Sequence, residues 1–277
     1  MGQKVNPVSL RLPINKRWDS KAFFNKFNYA SLLHQDLQIQ RYIYGVLFNF
    51  QILCNRCVIK RLKDTIFINI FFYIKSTNKG SKQVVKVLSS QGLDRSLRGS
   101  RKAKRQNNIM LKNTYLSITK ILEKGLVRLT QTKVKIRFIP LYSTGNKRYN
   151  RSLLYIERSM RFLNSLSYIH LFDTSLATKN AGLLAQFISL NLHFHIRNVR
   201  FFLRFLDRLM SLFVKHYGFK GIKFCIKGRL NGARRARSLV IQKGKIPLNT
   251  LSSDISFGFA NSMTIYGVCG VKVWLYF

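Results

Sequence analysis

Residues 218–237 read GFKGIKFCIKGRLNGARRAR, and this stretch decides the fold of the C-terminal third of the chain. Ile222, Phe224 and Ile226 alternate with two lysines and a cysteine, which is the period of a strand with one buried face. Glycines then interrupt the pattern, and a cluster of four arginines accompanies them: Arg229, Arg234, Arg235 and Arg237. The stretch therefore predicts a strand that leads into a basic turn.

The residues on both sides of this stretch extend the pattern into a domain. Apolar residues at helical spacing predict helices over residues 176–190 and 198–217, the second ending at Gly218. Period-two runs predict further strands over residues 238–247 and 264–276. Residues 176–277 are thus expected to form an α/β domain of two helices and an antiparallel or mixed sheet.

The first 74 residues predict the beginning of a second folded unit. Residues 1–30 show no steady period, mix prolines with large aromatic residues, and are expected to form an ordered arm that packs against a partner surface. A helix is predicted over residues 35–50, followed by strands at residues 57–62 and 65–74. The last run is continuously apolar, so we expect that strand to be central in its sheet.

A strongly basic segment separates these strands from the rest of the unit. Residues 76–112 hold a single acid, Asp94, and are expected to be a solvated basic insertion. A helix over residues 115–124 should end at Gly125, and residues 133–139 predict a strand with one basic face. Residues 141–175 are polar and irregular and are interpreted as an expanded linker.

The charge of the chain points to a polyanionic partner. Lys and Arg number 49 against 9 Asp and Glu, which gives a net charge of +40. Internal ion pairs cannot offset this excess, whereas nucleic acid supplies one phosphate per nucleotide. Composition is 47% hydrophobic, enough for a core, and Gly and Pro are too few for a low-complexity chain. An enzyme with a basic face and a membrane-surface protein are the alternatives.

Catalytic and metal-binding motifs are not apparent in the sequence. The nine acids are scattered singly, which disfavours two-metal or paired-carboxylate chemistry. His193 and His195 are close in sequence but have no acid beside them. Cys54 and Cys57 form one C-x-x-C, half of a zinc site, without a second pair at metal spacing. We expect no enzyme activity, cofactor or bound metal.

The predicted helix over residues 198–217 carries the most specific geometric signal. Its basic residues recur at intervals that place them on one face, opposite an apolar seam that runs from Val199 to Tyr217. A solvated helix face normally mixes charges of both signs, but the single acid, Asp207, lies off this row. We expect the row to contact RNA through these positions: Arg197, Arg200, Arg204, Arg208 and Lys215.

Three stretches resemble a known family. Residues 1–7 (MGQKVNP), 218–237 and the C-terminal runs 243–251 (KGKIPLNTL) and 264–274 (TIYGVCGVKVW) are similar to the bacterial-type small-subunit ribosomal protein three, a KH-domain protein of the ribosomal head. The resemblance is specific at both ends of the chain and much weaker in the middle third.

The resemblance implies an α+β fold with a type II KH domain over residues 31–140, in the order helix, strand, strand, short helices, strand. A KH domain clamps nucleotides with a Gly-x-x-Gly loop, and here Thr77 to Gly80 is the nearest remnant. The domain is therefore expected to be degenerate, with the basic insertion replacing the clamp by charge. Together with the turn arginines, the positions expected to bind rRNA are Lys4, Arg11, Lys79, Arg98, Arg101, Lys102, Lys104, Arg105, Arg229, Arg234, Arg235 and Arg237.

In this family a basic helix lines the channel through which mRNA enters, and it is linked to unwinding of structured mRNA. Arg200, Arg204 and Arg208 fall on family basic positions, whereas Phe205 and Leu209 stand where the family usually has basic residues. Unwinding support is thus expected to be weakened or supplied by the insertion. The implied partners are small-subunit rRNA, mRNA and neighbouring head proteins, with no membrane and no homo-oligomer.

Two further expectations concern location and rival functions. Abundant Phe, Tyr, Ile, Asn and Lys, expected from an A+T-rich gene, together with expanded linkers and no recognisable presequence, indicate a mitochondrial ribosome. A plastid or a bacterial cytoplasm is the alternative. An organellar maturase or an RNA chaperone outside the ribosome is also basic, but a maturase needs clustered acids.

Overall fold

The computed structural model describes residues 4–23, 25–50, 52–62, 65–74, 118–141, 165–194, 199–216 and 219–277. The chain forms two compact units, each with its own four-stranded sheet. The N-terminal unit is formed by Asp19–Tyr142, and the C-terminal unit by Met1–Trp18 together with Ser143–Phe277. The mixed α+β class predicted from the sequence is confirmed.

The described elements are, in chain order, α1 (Pro7–Leu10), β1 (Ser20–Lys21), α2 (Tyr29–Asn49), β2 (Ile52–Leu62), β3 (Thr65–Ile74), α3 (residues 118–130), β4 (Lys133–Pro140), α4 (Ser165–Thr178), α5 (Gly182–Phe194), α6 (Val199–His216), β5 (Gly221–Gly228), β6 (Arg237–Gly244), β7 (Ile255–Thr264) and β8 (Gly267–Tyr276).

The sheet of the N-terminal unit has the order β1-β2-β3-β4. β3 pairs antiparallel with β2 and parallel with β4, so the predicted central position of residues 65–74 is confirmed. On β4, Lys133, Lys135 and Arg137 are exposed while the residues between them are half-buried, as the alternating pattern predicts. α2 and α3 supply Ile39, Ile43, Leu47, Ile118, Leu122 and Leu126 to the core beneath the sheet.

The prediction that Gly125 ends its helix is wrong, because α3 continues to residue 130. A Cβ atom at Gly125 would lie 2.1 Å from the hydroxyl oxygen of Tyr42 on α2. The Tyr42 hydroxyl also donates a hydrogen bond to the Ile121 carbonyl oxygen at 3.3 Å. The glycine therefore permits close packing of two helices rather than a C-terminal cap.

Cys54 and Cys57 are both buried in the core on β2. In a regular strand, residues three apart face opposite sides of the sheet. Here the register shifts between Cys54 and Arg56, and this bulge turns both thiols toward the same core. The C-x-x-C spacing is thus accommodated by a bulged strand.

The sheet of the C-terminal unit has the order β6-β5-β8-β7, and every neighbouring pair is antiparallel. Helices pack on one face of this sheet through aromatic rings. The Phe172 ring of α4 lies 4.8 Å from that of Phe213 on α6 and 6.1 Å from that of Phe224 on β5, measured between centroids. α6 therefore docks its apolar side onto the sheet and leaves its other side outward.

Helix boundaries in the C-terminal unit differ from the prediction in two ways. α4 occupies residues that were expected to belong to the linker, and it buries Leu171 and Phe172. The helix predicted over residues 176–190 is broken, since Lys179 has φ of 49° and α5 begins only at Gly182. The Asn180 side-chain oxygen accepts a hydrogen bond from the Gly182 amide at 2.8 Å and so caps α5.

β7 was not predicted as a strand, and only its last residue falls in the run expected over residues 264–276. It holds Ser256 and Gly258, residues that weaken a strand pattern. Both residues allow β7 to pack closely against the start of α5. The Ser256 hydroxyl accepts a hydrogen bond from the Ala181 amide at 2.9 Å, and a Cβ at Gly258 would lie 2.4 Å from the Ala181 carbonyl oxygen.

The described aromatic residues of the first 30 positions do not pack into a core. Trp18, Phe23 and Phe27 are exposed. Within the described ranges, no helix combines the length and apolar character needed to cross a bilayer.

Candidate nucleic-acid interface

α6 presents one apolar face and one cationic face. The buried face is broader than the predicted seam, because Phe202, Phe205 and Leu209 are fully buried alongside Leu206, Met210 and Phe213. The exposed face carries the row predicted from the sequence: Arg200, Arg204, Arg208 and Lys215. At 1.5 Å per residue this row extends about 22 Å along the helix.

The acid on α6 is neutralised away from this row. Asp207 forms an ion pair with Lys243 of β6, in which the Lys243 Nζ lies 3.0 Å from the Asp207 Oδ1. Both side chains are partly exposed, so the pair contributes little to stability. Among the residues that the structure describes, no acid forms an ion pair with Arg200, Arg204 or Arg208. Their charge is available to an external anion.

Residues 229–236 form an ordered turn rather than a flexible basic loop. The Arg229 Nε donates to the Ala233 carbonyl oxygen at 2.9 Å, and the Ala233 amide donates to the Leu230 carbonyl oxygen at 3.1 Å. Leu230 is buried beneath the turn. Asn231 and Gly232 take φ values of 53° and 69°, the left-handed region that Asn and Gly tolerate best.

The glycines of this segment do not provide room for a nucleic acid backbone. A Cβ at Gly228 would lie 2.5 Å from the Cys269 Sγ, and one at Gly232 would lie 3.3 Å from the Tyr266 ring. The space above each glycine is therefore occupied by the protein's own side chains. These two glycines therefore let the turn pack closely on β8 and on the hairpin turn that precedes it.

A cleft of about 410 Å³ lies between α6 and the turn, and we call it the arginine cleft. Arg200 and Arg204 reach it from α6, and Arg237 reaches it from the start of β6. Its apolar lining comes from Val199, Leu203, Leu230 and Leu239, with Asn231 and Ala233 at the turn. The structure thus brings together the two basic clusters that the sequence predicts separately.

The other predicted positions fall into three groups. Arg208 and Lys215 continue the row beyond the cleft, while Arg229, Arg234 and Arg235 are exposed on the turn outside its lining. Lys4 is exposed near the N-terminus. The remaining positions lie outside the described residues: Lys79, Arg98, Arg101, Lys102, Lys104, Arg105 and Arg197.

Arg11 has no exposed surface with which it could contact RNA, and this burial argues against the prediction for this residue. It is fully buried, and its guanidinium group donates to the Ser253 hydroxyl and to five backbone carbonyl oxygens, those of Pro7, Pro247, Leu248, Thr250 and Ser253, at 2.8–3.3 Å. Guanidinium offers five donors in a rigid fork, which suits such a cluster of acceptors. Arg11 therefore fastens α1 to the segment before β7.

The sequence did not indicate that Leu203 and Leu239 line one cleft. Leu203 belongs to the predicted apolar seam but is only half-buried, and Leu239 lies on an edge strand some 36 positions away. Sequence periodicity places residues on a face but does not bring distant elements together. In the N-terminal unit, the exposed cations of β4 form a second basic surface, where Lys135 Nζ lies 5.4 Å from the Phe67 ring centroid.

The cysteine pair of β2 is protonated in its buried environment. Burial raises the pKa of Cys54 to about 12, and hydrogen bonds to Tyr44 and Arg56 offset this only in part. Burial also raises the pKa of Cys57. Within the described ranges, no three His, Cys, Asp or Glu side chains gather as metal ligands would. His193 instead hydrogen-bonds the Met263 carbonyl oxygen.

Comparison with known proteins assigns the region that contains the cleft. A family model described as ribosomal protein S3, C-terminal domain, matches residues 195–275, which include α6, the turn and all four strands of the second sheet. This match covers α6, the turn and the arginine cleft between them.

Curated proteins named "Small ribosomal subunit protein uS3" match the full length of the chain. That of Carboxydothermus hydrogenoformans is 28% identical over 276 residues, covering all of this chain and 91% of the relative. Those of Borreliella burgdorferi strain ZS7 and Geobacter sp. strain M21 are 29% and 28% identical, with 70% and 96% of the relative covered. The C-terminal sheet and its basic helix are thus matched as one domain, and the chain as a whole is similar to small-subunit ribosomal proteins of the S3 family.

Proposed function

We propose that this protein is a structural constituent of the head of the small ribosomal subunit, where it binds rRNA and helps to line the channel through which mRNA enters. Similarity to proteins of the S3 family supports a role in the small subunit and in translation. Proteins of this family are structural and non-enzymatic, in agreement with the prediction that the chain is not an enzyme.

The observation that carries the RNA-binding part of the proposal is the exposed cationic row of α6 beside the turn arginines. Arg200, Arg204, Arg208 and Lys215 have no acidic partner among the described residues, and such a row matches the phosphates of a polynucleotide strand. Arginine holds phosphate oxygens with two parallel hydrogen bonds, which fixes orientation as well as charge. The turn arginines and Lys4 would hold rRNA, and the row would face mRNA.

The N-terminal unit supports the proposal of a degenerate KH domain over residues 31–140. Its described elements follow the order helix, strand, strand, helix, strand, with β3 between an antiparallel and a parallel neighbour. The insertion at residues 76–112 and the Thr77–Gly80 remnant lie outside the described residues. Without a Gly-x-x-Gly loop, RNA contact by this unit would rest on charge, including the exposed cations of β4.

The protein is proposed to act in a mitochondrial ribosome. The composition rich in Phe, Tyr, Ile, Asn and Lys supports an A+T-rich organellar gene. The relatives named above are bacterial, and a bacterial cytoplasm or a plastid is the alternative location. Antibody detection in purified organelles against a cytosolic fraction separates these locations.

Sedimentation tests the proposal as a whole. Extract is separated on a gradient containing magnesium, and each fraction is probed for this protein. Co-migration with the small subunit and the monosome, lost on chelation of magnesium, is the expected result. A pool confined to the top of the gradient would overturn the proposal in favour of an RNA chaperone. Magnesium-dependent cleavage of RNA by the purified chain would favour a maturase.

A further inference from the structure

We infer that the arginine cleft binds a single unpaired nucleotide of an RNA strand, with the base against the apolar wall and its phosphate on the arginines. The inference rests on the proposed RNA-binding function and adds a specific ligand subsite to it. An unstacked nucleotide combines one apolar planar group with one anion, and the cleft offers a wall for the first and cations for the second.

The charge of the cleft calls for an anion. Arg200 and Arg204 are one helical turn apart, where like charges repel, and Arg237 adds a third guanidinium group to the same cavity. None of the described residues that line it is acidic. A phosphate group between the three arginines would relieve this repulsion and accept bidentate hydrogen bonds.

The remaining lining selects a nucleotide rather than a free inorganic anion. Leu203, Leu230 and Leu239 form an aliphatic surface that gives no binding energy to a hydrated ion but removes apolar base surface from water. The volume of about 410 Å³ falls within the range of about 300–1,000 Å³ typical of small-ligand sites.

The polar side chain at the end of the wall is consistent with a base of any identity. Asn231, held at φ of 53° in the turn, carries an amide that can both donate to and accept from a base edge. An amide with both capabilities can pair with each of the four bases. The cleft should therefore select unpaired over paired nucleotides and show little sequence preference.

The experiment uses the purified full-length chain and an RNA strand with a central 2-aminopurine, whose fluorescence is quenched by stacking. The strand is offered alone or annealed to its complement, in about 0.2 M salt to reduce non-specific binding. The wild-type chain should raise the fluorescence of the single strand severalfold and that of the duplex very little, because only the unpaired nucleotide can enter the cleft.

Two matched pairs of variants locate the effect in the cleft. Ala233→Phe fills the cleft from the turn, and Ala236→Phe adds the same ring at an exposed position of the same turn outside the lining. Leu239→Phe fills it from β6, and Val240→Phe places a ring on the opposite face of that strand. The filling variants should lose the fluorescence rise and bind the single strand about tenfold more weakly, while the controls stay within twofold of wild type.

The outcomes separate this inference from the proposed function. If both filling variants retain the wild-type fluorescence rise while folded by circular dichroism, the cleft does not hold the nucleotide. If the wild-type chain sediments with the small subunit but gives no rise with the single strand, the subsite is wrong and the ribosomal role stands. If the chain fails to sediment with the subunit, the proposed function itself is wrong.

Discussion

Arg11 and Arg204 show two opposite uses of the same side chain within the C-terminal unit. Arg11 is fully buried, and its guanidinium group is saturated by protein oxygens from Pro7 and the segment before β7. Arg204 is exposed on α6, lines the arginine cleft, and has no acidic partner among the described residues. A buried cation needs such acceptors, because the transfer of a charged group from water to the protein interior without hydrogen-bond partners is very costly.

Net charge alone therefore does not identify a basic residue as an RNA contact. In a chain of charge +40, some arginines are held by acceptors inside the fold, and others are exposed and available to an external polyanion. Arg61 behaves like Arg11, since it pairs with the buried Asp36 at 2.6 Å in the N-terminal unit. The two kinds of arginine differ in whether the fold supplies acceptors for the guanidinium group, and position in a basic cluster does not distinguish them.

Replacing Arg11 with Met should give the largest loss of stability, because several buried carbonyl oxygens would lose their donor. The expected decrease is about 3–5 kcal/mol in the free energy of unfolding of the C-terminal unit. Urea denaturation followed by circular dichroism measures it. The exposed Arg234→Met should change stability by less than about 0.5 kcal/mol. Equal losses of stability for the two substitutions would contradict the distinction between arginines that stabilise the fold and arginines that are available to RNA.

Replacing Asp36 with Asn should destabilise the N-terminal unit by about 3 kcal/mol. The change leaves the guanidinium of Arg61 with its charge uncompensated in a largely buried site, where Asp36 also accepts a hydrogen bond from Ser20. Asp207→Asn breaks an exposed pair of the same chemistry and should cost less than about 0.5 kcal/mol. A similar loss for both substitutions in urea denaturation would contradict the burial argument.

Replacing Arg204 and Arg208 together with Gln should weaken RNA binding without affecting folding. Removal of two phosphate contacts lowers the slope of log affinity against log salt by about 1.4–1.8. Titration of the full-length chain with labelled RNA at several salt concentrations measures the slope. The double change to Lys should keep the slope, since Lys retains the charge. An unchanged slope for the Gln variant would exclude the row from the RNA interface.

Charge reversal of the same two arginines tests the proposed mRNA contact. Translation of structured messages should slow more than that of unstructured messages, while assembly of the variant into small subunits is retained. The measurement compares translation rates of two reporters that differ in a hairpin after the start site. Equal slowing of both reporters would argue against a position in the mRNA channel.

The smallest predicted effect is a pH dependence at Asp254. Burial opposes its ionisation, but hydrogen bonds from Lys16 at 2.7 Å and Lys179 at 3.0 Å outweigh burial and lower the pKa of the carboxyl group. Its stabilising contribution is present above the ordinary carboxyl pKa and is lost as pH falls through the lowered value. Asp254→Asn should flatten the acid limb of the stability curve, and an unchanged acid limb would contradict the pairing.

The elements that could be predicted are those with a strong local period. β3 is apolar except at Thr65 and Asn69, and the faces of β4 and α6 alternate in a way that only one secondary structure satisfies. These patterns depend on neighbours in the sequence. The cationic row of α6 could be predicted for the same reason, and its side chains are exposed in the structure.

The features that could not be predicted depend on residues far apart in the chain. Arg11 resembles any other arginine in sequence, and all its acceptors except the Pro7 carbonyl oxygen lie more than 230 positions away. Gly125 carries the signal of a helix end, yet its function is contact with Tyr42. The arginine cleft exists only because the turn after β5 folds beside α6, and no local pattern encodes that juxtaposition.

Ultraviolet crosslinking of purified small subunits, followed by mass spectrometry of the modified peptides, tests whether the exposed arginines of the C-terminal unit bind RNA. The account predicts nucleotide adducts on peptides that contain residues 200–208 and 229–237, and none on the peptide that contains Arg11. Adducts confined to other surfaces, with both of these segments unmodified, would contradict the assignment of the unpaired arginines to RNA.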